Sequence, residues 1–485
     1  MAPVTTAVTD LLISGAGNLA AYLAAHVLLC LVPAFFIAGA MTALIPKSAI
    51  TRWLGRGAPV HVSYPAAAAA GSLLAVCSCT IVPLFAGIHR KGAGLGPAIT
   101  FLFFAPAGNV LALAYTGGIL GAEFALARLV LCLVFGIGIG MLMAALFWRD
   151  DHRHDAQADG LFGNDARVDA TTVGLLLALV ALLVAGTLKV APLAAVLGSA
   201  TLPAPWAEAW QGTLLRWVPF DAARGEEGVS VQGSLLILCL ALVGAAAWRG
   251  LEDIVEGANR WTWVALSLCA ITLIAATLPM SASAAGLEVG MTGRTLAILA
   301  ALAAAVRFAR RLDAAALRAW LWESWRFVKQ IFPLLVAGVF VVGLVRPLIR
   351  PEWIEALAGR NDLAGNAVAV AFGVVMYFPT LVEVPVARMF LDLGMHPGPL
   401  LAYLMADPEL SLQSILMVAA VIGRTKAFAY VGLVALFSVV AGLLFGAWVD
   451  GVDRLLIAGG LTAFLAAVAA LRAGLVGRQA RATRA

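Results

Sequence analysis

The amino-acid sequence predicts an all-α, polytopic integral membrane protein. Of its 485 residues, 62% are hydrophobic and 12% are charged, whereas soluble chains average about 45–50% and about 25%. The mean hydropathy is +0.97, and the apolar residues form runs of about 20, the length at which a helix crosses a bilayer core of roughly 30 Å. Glycines and prolines also recur at a constant spacing in two parts of the chain. These observations exclude an ordinary soluble enzyme.

Apolar runs suggest thirteen spans at most, and we expect ten to thirteen to cross. The run at 62–88 is long and interrupted, and the run at 292–306 is short. No Lys or Arg precedes the first apolar stretch, so the N-terminus lacks the charged region of a cleavable signal peptide. The basic connector 307–329 is expected on the cytoplasmic side by the positive-inside rule. We predict a multi-pass protein of the bacterial inner (plasma) membrane.

The net charge of +5 is modest, and the arginines lie in short connectors and in the tail. No basic run carries interleaved aromatic residues, so nucleic acid is not an expected partner. The sequence has no phosphate-binding Gly-rich motif, and the His152 and His154 pair lies in a charged linker. We therefore expect no cofactor and no metal site, and partners limited to the lipid bilayer and a small solute.

An internal repeat divides the chain. At an offset of 302, Pro83, Gly96, Pro97 and Pro106 recur as Pro385, Gly398, Pro399 and Pro408, and Gly71 recurs as Gly373. Such matches indicate two related halves of four spans each. The predicted domains are a first repeat at 15–148, a charged linker at 149–170, an inserted membrane region at 171–325, a second repeat at 326–450, and a C-terminal span with a basic tail at 451–485.

Corresponding Pro-interrupted segments in the two halves predict a binding site, because a broken helix at membrane depth is tolerated where it lines protein or a cavity. Residues 77–83 (CSCTIVP) correspond to residues 379–385 (PTLVEVP). We expect a break near Pro83 and Pro385, and we expect the two segments to meet near the bilayer midplane. The predicted site residues are Cys77, Ser78, Cys79, Pro83 and Asn109 in the first half and Pro379, Thr380, Glu383 and Pro385 in the second.

Two thiols close together favour a soft, thiophilic solute, because thiolates select such species. In an intact helix, Cys77 and Cys79 would point apart, but an extended segment near Pro83 lets them converge. The alternative is that both are small buried hydrophobic residues, the usual fate of a free cysteine. We apply that interpretation to the four isolated cysteines, which are Cys30, Cys132, Cys239 and Cys269.

Glu383 is the first candidate for proton coupling, and Asp407 is the second. A carboxylate within a span costs about 2.5–3.5 kcal/mol on insertion scales and usually faces the bundle interior as a relay or ligand. The alternative for either residue is an interfacial position, for Glu383 near Arg388. Asn109, after Pro106 in an apolar run, is a candidate for a hydrogen bond in the cavity or for packing between helices.

The segments CSCTIVPLFAGIHRKGAGLGPAITFLFFAPAGN (77–109) and YFPTLVEVPVARMFLDLGMHPGPLLAYLMADPELS (377–411) resemble a family of predicted bacterial permeases. Its best-understood members export trivalent organoarsenicals. The resemblance implies that Cys77 and Cys79 take part in substrate binding. This chain has Thr80 where the family commonly has Gly, and Pro379 and Leu381 where some members have cysteines.

The predicted function is that of a secondary permease, not an enzyme, which exports a small thiophilic solute such as a trivalent organoarsenical. One alternative is a permease for another small solute, in which the cysteines are structural. Another alternative is a membrane-embedded thiol oxidoreductase that uses Cys77 and Cys79 as a redox pair.

Overall fold

The structure is a computed structural model, and it confirms the all-α polytopic class. It describes residues 2–55, 57–73, 78–151, 169–187, 193, 195–218, 228–283, 286–345, 352–375 and 380–482. Within these ranges the chain is almost entirely helical, with one small β-sheet.

The chain divides into two compact units. Unit 1 comprises Met1–Ile45 and Val168–Pro347, and unit 2 comprises Pro46–Arg167 and Leu348–Ala485. The predicted domain boundaries remain a prediction. The compact units differ from them, because residues 15–45 and 326–347 group with the inserted region. The rest of both predicted repeats, most of the linker and the C-terminal segment 451–485 form one unit.

Unit 1 is a helical body. Its helices are α1 (Ala2–Tyr22), continued by a π-helical stretch (Leu23–Leu31), α2 (Val32–Leu44), α9 (Ala170–Thr187), α10 (Trp206–Trp217), α11 (Val231–Leu251), α12 (Arg260–Ala275), α13 (Gly293–Ala309) and α14 (Ala314–Val345). Helix α14 packs on both N-terminal helices. Ser14 donates to the Gly343 carbonyl at 2.9 Å, and the Trp320 indole donates to the Phe36 carbonyl at 2.8 Å. These contacts explain why the first helices join this unit.

A three-stranded antiparallel sheet in unit 1 was not predicted from the sequence. Its strands are β1 (Val196–Leu202), β2 (Met280–Ser283) and β3 (Gly286–Thr292), in the order β1-β3-β2. Gly286, the first residue of β3, has a φ of 128°, which a residue without a side chain adopts readily. The residues between α12 and α13 therefore form strands outside any apolar run.

The described part of unit 2 contains thirteen helices. They are α3 (Lys47–Leu54), α4 (Val60–Leu73), α5 (Ser78–Arg90), α6 (Leu95–Ala107), α7 (Val110–Ile119), α8 (Ala122–Leu146), α15 (Glu352–Ala358), α16 (Leu363–Val375), α17 (Thr380–Asp392), α18 (Pro397–Leu410), α19 (Leu412–Ile422), α20 (Arg424–Val449) and the C-terminal α21 (Arg454–Ala482).

Helix ends in unit 2 recur 302 residues later. Helices α5 and α17 begin and end at positions 302 apart, and the turn after each contains a glycine with positive φ, 90° at Gly92 and 91° at Gly394. Ala93 N donates to the Ile88 carbonyl, and Met395 N donates to the Phe390 carbonyl. The same backbone turn is thus built twice in this unit, at the offset found in the sequence.

Glycines bring α6 against α8 and α18 against α20. A Cβ atom at Gly140 would lie 2.6 Å from the Gly96 carbonyl oxygen, and one at Gly442 would lie 2.6 Å from the Gly398 carbonyl oxygen. We expect Gly140→Ala and Gly442→Ala each to lower the stability of the purified protein by about 1–3 kcal/mol, the usual cost of overpacking. Gly432→Ala, in the same helix as Gly442 and with open space around it, is the control. Equal melting temperatures for all three variants would contradict the close helix contact.

The described residues contain eight helices that are long and apolar enough to cross a membrane, or up to nine if a bent pair is counted as one span. This is below the ten to thirteen expected. The run at 62–88 divides between α4, with 14 residues, and α5, with 13. Helices α12 and α13, with 16 and 17 residues, are also too short by this length criterion.

Candidate functional site

The predicted thiol segment is only partly described. Cys77 and Pro379 lie outside the described residues, as do the side chains of Ser78, Cys79 and Thr380. Helix α5 begins at Ser78, and helix α17 begins at Thr380. The structure therefore places Cys79 in the first turn of a helix and leaves the convergence of the two thiols a prediction.

The expected breaks at Pro83 and Pro385 are not found in the described backbone, which is helical across both prolines. Each proline is the sixth residue of its helix. A proline at this position has no N–H to donate to the carbonyl four residues earlier, which lies in the first turn of the helix. Only this one backbone hydrogen bond is lost, and the helix continues. Residues 74–77 and 376–379, which precede these helices, lie outside the described residues.

The helix that does break is the 25-residue span Leu95–Ile119, which divides into α6 and α7 at Gly108 and Asn109. Asn109 caps both helix ends. Its Nδ2 donates to the carbonyls of Ala105 (2.8 Å) and Pro106 (3.2 Å), and its Oδ1 accepts from Ala112 N (2.8 Å). The side chain thus satisfies backbone groups that the break releases, which is the role required of a polar residue at membrane depth.

Arg128, in α8, holds the remaining carbonyl at this break. Its Nε donates to the Ala107 carbonyl at 2.8 Å, and its Nη1 donates to Thr116 Oγ1 at 3.1 Å. A cation at the C-terminal end of α6 also complements the helix dipole. Sequence reasoning missed Arg128, although a basic residue within the apolar run of 122–146 carries the same signal that singled out Glu383.

Glu383 accepts a hydrogen bond from Nη2 of Arg128 at 3.0 Å, and both side chains are 0% exposed. The alternative of an interfacial Glu383 beside Arg388 is wrong, because Arg388 pairs instead with Asp392 on the exposed side of α17. Oε2 of Glu383 has no hydrogen-bond partner among the described residues. The candidate site is therefore a buried ion pair that joins α17 to the break between α6 and α7.

A second break lies between α18 and α19, which meet at 47°. Asp407, the second coupling candidate, is fully buried near the end of α18. Its position relative to the membrane interface stays a prediction. Glu409 is buried in the same turn, and one of its carboxylate oxygens accepts a hydrogen bond from the hydroxyl of Tyr430 in α20. Gln413, in the first turn of α19, is fully buried. The sequence analysis did not name Glu409, Tyr430 or Gln413.

Cys132, in α8, is fully buried beside the first break. Its thiol is 3.7 Å from the Ala107 carbonyl oxygen that Arg128 also binds. The same thiol is within electrostatic range of Arg128, Glu383 and Glu409. Helix α18, which carries Asp407 and Glu409, packs against α6 and α8 within unit 2.

The most prominent charged contact in unit 1 lies just beyond the end of α11. Glu252 accepts hydrogen bonds from Lys329 Nζ, at 2.7 and 2.8 Å, and from Trp325 Nε1, at 2.8 Å. These bonds, that of Lys329 first, hold the pKa of Glu252 below its usual range. A lowered pKa stabilises the fold above the ordinary pKa of a glutamate, and this stabilisation is lost as the pH falls through the folded value. The carboxylate is 37% exposed, so solvent screens the effect.

An apolar cavity of about 320 Å³ lies beside this pair, also within unit 1. Its lining includes Phe36, Cys269, Trp325 and Lys329. Among the described residues, no three His, Cys, Asp or Glu side chains are grouped so as to hold a metal ion. The buried polar groups of unit 2 thus remain the candidate functional site.

Several membrane-spanning helices, one of them broken beside a buried ion pair, define the class of polytopic membrane transport proteins. The chain belongs to the predicted permease family ArsP_1, whose model matches residues 12–447. It is also similar to the UPF0718 protein MJ0584 of Methanocaldococcus jannaschii, with 31% identity over 429 residues, 88% of this chain and 93% of that protein. No solved structure matches it. The permease family expected from the two motifs is confirmed.

Proposed function

We propose that this permease exports a small thiophilic solute across the bacterial inner membrane, and that a trivalent organoarsenical is its leading substrate class. Membership of a predicted permease family supports transport rather than catalysis. The name of that family and the resemblance of the Cys77 to Pro83 segment favour the arsenical. Transport takes place in unit 2, whose helix breaks bring polar groups to membrane depth.

The main observation that supports transport through unit 2 is the buried Arg128–Glu383 pair at the break between α6 and α7. Buried ion pairs rarely add net stability, because desolvation offsets most of the attraction. Charged residues within spans usually line the path of a substrate or ion. A charge pair retained beside a broken helix therefore supports a permeation route rather than a packing role.

The start of α5 supports a thiol site. Helix N-termini stabilise negative charge and favour the thiolate form of a nearby cysteine. Cys79 is the second residue of α5, and Cys77 directly precedes its first residue. In this proposal the solute binds Cys77 and Cys79 through their thiolates, the form that binds a trivalent arsenic atom or a soft metal.

We also infer that unit 2 is an internal duplication of a helical repeat. The equal bounds of α5 and α17, the matched glycine turns and the matched breaks support this inference. In transporters built from repeats, rocking of one repeat against the other opens the site alternately to each side of the membrane. A solute held by Cys77 and Cys79 would be released outside by such a movement.

A resistance assay tests the substrate. We expect the wild-type gene to protect an arsenical-sensitive bacterial strain against a trivalent phenylarsenical, and we expect Cys77→Ser and Cys79→Ser to lower protection to the level of the empty vector. Serine is similar in size but lacks the soft sulfur. Cys239→Ser, in unit 1, is the matched control and should protect fully.

Immunoblots of membrane fractions must show equal amounts of each variant. Full protection by the double variant Cys77→Ser with Cys79→Ser would eliminate the thiol site and favour a permease with structural cysteines. A Cys77–Cys79 disulfide that turns over with quinone, without any protection, would favour the thiol oxidoreductase.

A further inference from the structure

The two helix breaks of unit 2 lie at corresponding positions of the repeat but differ in charge. At the end of α6, the side chains of Asn109 and Arg128 satisfy the last carbonyls. At the corresponding positions, 302 residues later, the chain has Ser411 and Tyr430. Ser411 donates its hydroxyl to Ser414. The end of α18 is therefore built without the asparagine cap and without the cation.

The second break also contains a buried carboxylate that the first break lacks at the corresponding position. Glu409 stands where the first half has Ala107, the residue whose carbonyl Arg128 binds. Tyr430, which stands where the first half has Arg128, donates its hydroxyl to Glu409. A neutral hydroxyl supplies one hydrogen bond but no compensating charge. The C-terminal end of α18, already the negative end of the helix dipole, gains a buried carboxylate.

The buried charges of unit 2 do not balance. Glu383 and Glu409 are at most 3% exposed, and Arg128 is the one basic side chain buried to the same degree among the described residues. Arg128 pairs with Glu383. Ionised carboxylates at membrane depth are costly unless a positive charge accompanies them. The region around Glu409 thus favours a bound cation or proton.

Gln413 supplies an independent indication of a ligand. It is fully buried, and neither its Oε1 nor its Nε2 has a hydrogen-bond partner among the described residues. It lies in the first turn of α19, and helical side chains lean toward the N-terminus of their helix. From this lean we infer that the amide of Gln413 is directed toward the break. Oε1 of Glu409, at the same break, is also without a hydrogen-bond partner among the described residues.

We propose that the break between α18 and α19 binds one monovalent cation, a proton or a sodium ion, on Glu409, with the amide oxygen of Gln413 and the terminal carbonyls of α18 as further oxygen ligands. The cation holds the place that the Arg128 guanidinium holds at the other break. This proposal rests on the proposed transport function for its role, which is to couple solute export to an ion gradient. Carboxylate, amide and carbonyl oxygens are ligands suited to a hard cation.

Other titratable and charged groups near the break contribute to the response of the protein to cations and pH. The titratable or charged groups near the break on α18 and the helices packed against it are Asp407 on α18, Tyr430 on α20, Arg128 and Cys132 on α8, and Glu383 on α17. Arg128 is neutralised by Glu383. Glu409→Gln is the informative change, because it removes the charge and keeps an oxygen that accepts from Tyr430.

The test is the melting temperature of the purified, solute-free protein in detergent. It is measured in sodium chloride against choline chloride at equal ionic strength, and then across a range of pH without sodium. We expect the wild type to be stabilised either by sodium specifically or by acidification alone, and these arms distinguish the two cations. Glu409→Gln should lose that response. Ser438→Ala, also buried in α20 but two turns from Tyr430, should keep it.

Tyr430→Phe keeps the carboxylate and serves if Glu409→Gln does not fold. We expect tighter cation binding in this variant, because the carboxylate loses the donor that competes for its charge. A wild type without a response to either cation, or a Glu409→Gln variant with the wild-type response, would overturn the proposal. Because no solute is present, that outcome would leave the proposed export untouched, and failure of export would leave this site untouched.

Discussion

Arg128→Met alone is expected to prevent accumulation of folded protein. The substitution leaves Glu383 charged and buried without its partner, and it removes a donor from the Ala107 carbonyl. Breaking a buried ion pair from one side costs about 3–5 kcal/mol, a large part of the stability of many domains. Glu383→Gln should destabilise as well, because the guanidinium then lacks a counter-charge.

The double variant Arg128→Met with Glu383→Gln is expected to recover much of the loss, because no uncompensated charge remains. Fluorescence-detected size exclusion and melting temperatures in detergent measure this. Arg388→Met is the matched control, since Arg388 lies on the same helix as Glu383 but forms a half-exposed pair with Asp392. That pair should contribute at most about 1 kcal/mol. Single variants as stable as the control would contradict the buried pair.

Asn109→Leu is expected to cause the second largest loss of stability. Three hydrogen bonds disappear at once, and the Ala105 and Pro106 carbonyls and the Ala112 amide lose their side-chain partner. Loss of an asparagine cap costs about 1 kcal/mol, and each buried group left unsatisfied costs about 1–3 kcal/mol. We therefore expect a total of about 2–4 kcal/mol in the melting equilibrium.

Ser411→Ala tests the same position in the second break. Its hydroxyl donates only to Ser414, so we expect a loss below about 1 kcal/mol. If Ser411→Ala destabilised the protein as much as Asn109→Leu, the two breaks would be capped equivalently. The difference in charge between them would then lose its structural basis.

Composition and helix length predicted most of the fold, because lipid forces every backbone group of a span into a helix. The offset of 302 between Pro83 and Pro385 in the sequence is also the spacing between the bounds of α5 and α17. Fewer spans are found among the described residues than the apolar runs predicted, because α4, α5, α12 and α13 are each shorter than 18 residues. Pro106 and Pro408 precede the two breaks, whereas Pro83 and Pro385 lie within helices.

The candidate site was half predicted. Glu383 was correctly expected to face the protein interior, because the cost of a carboxylate in lipid is local and can be read from one residue. Its partner was not found, since a pairing between positions 128 and 383 depends on tertiary structure. Glu409 was not named in the sequence analysis, and the helix α18 that carries it continues through Pro408 to Leu410. Asn109 was named as a binding residue, which stays a prediction, and the structure shows that its side chain caps the break.

Transport in proteoliposomes tests most directly whether unit 2 exports a thiophilic solute. Purified wild-type protein and the double variant Cys77→Ser with Cys79→Ser are reconstituted at equal density, and the movement of a trivalent phenylarsenical is followed with and without sodium and pH gradients. We predict accumulation that depends on wild-type protein and on one of these gradients, is absent from the cysteine double variant, and persists in Cys239→Ser. Equal accumulation in liposomes with wild-type protein and in protein-free liposomes, under every gradient, would contradict the account.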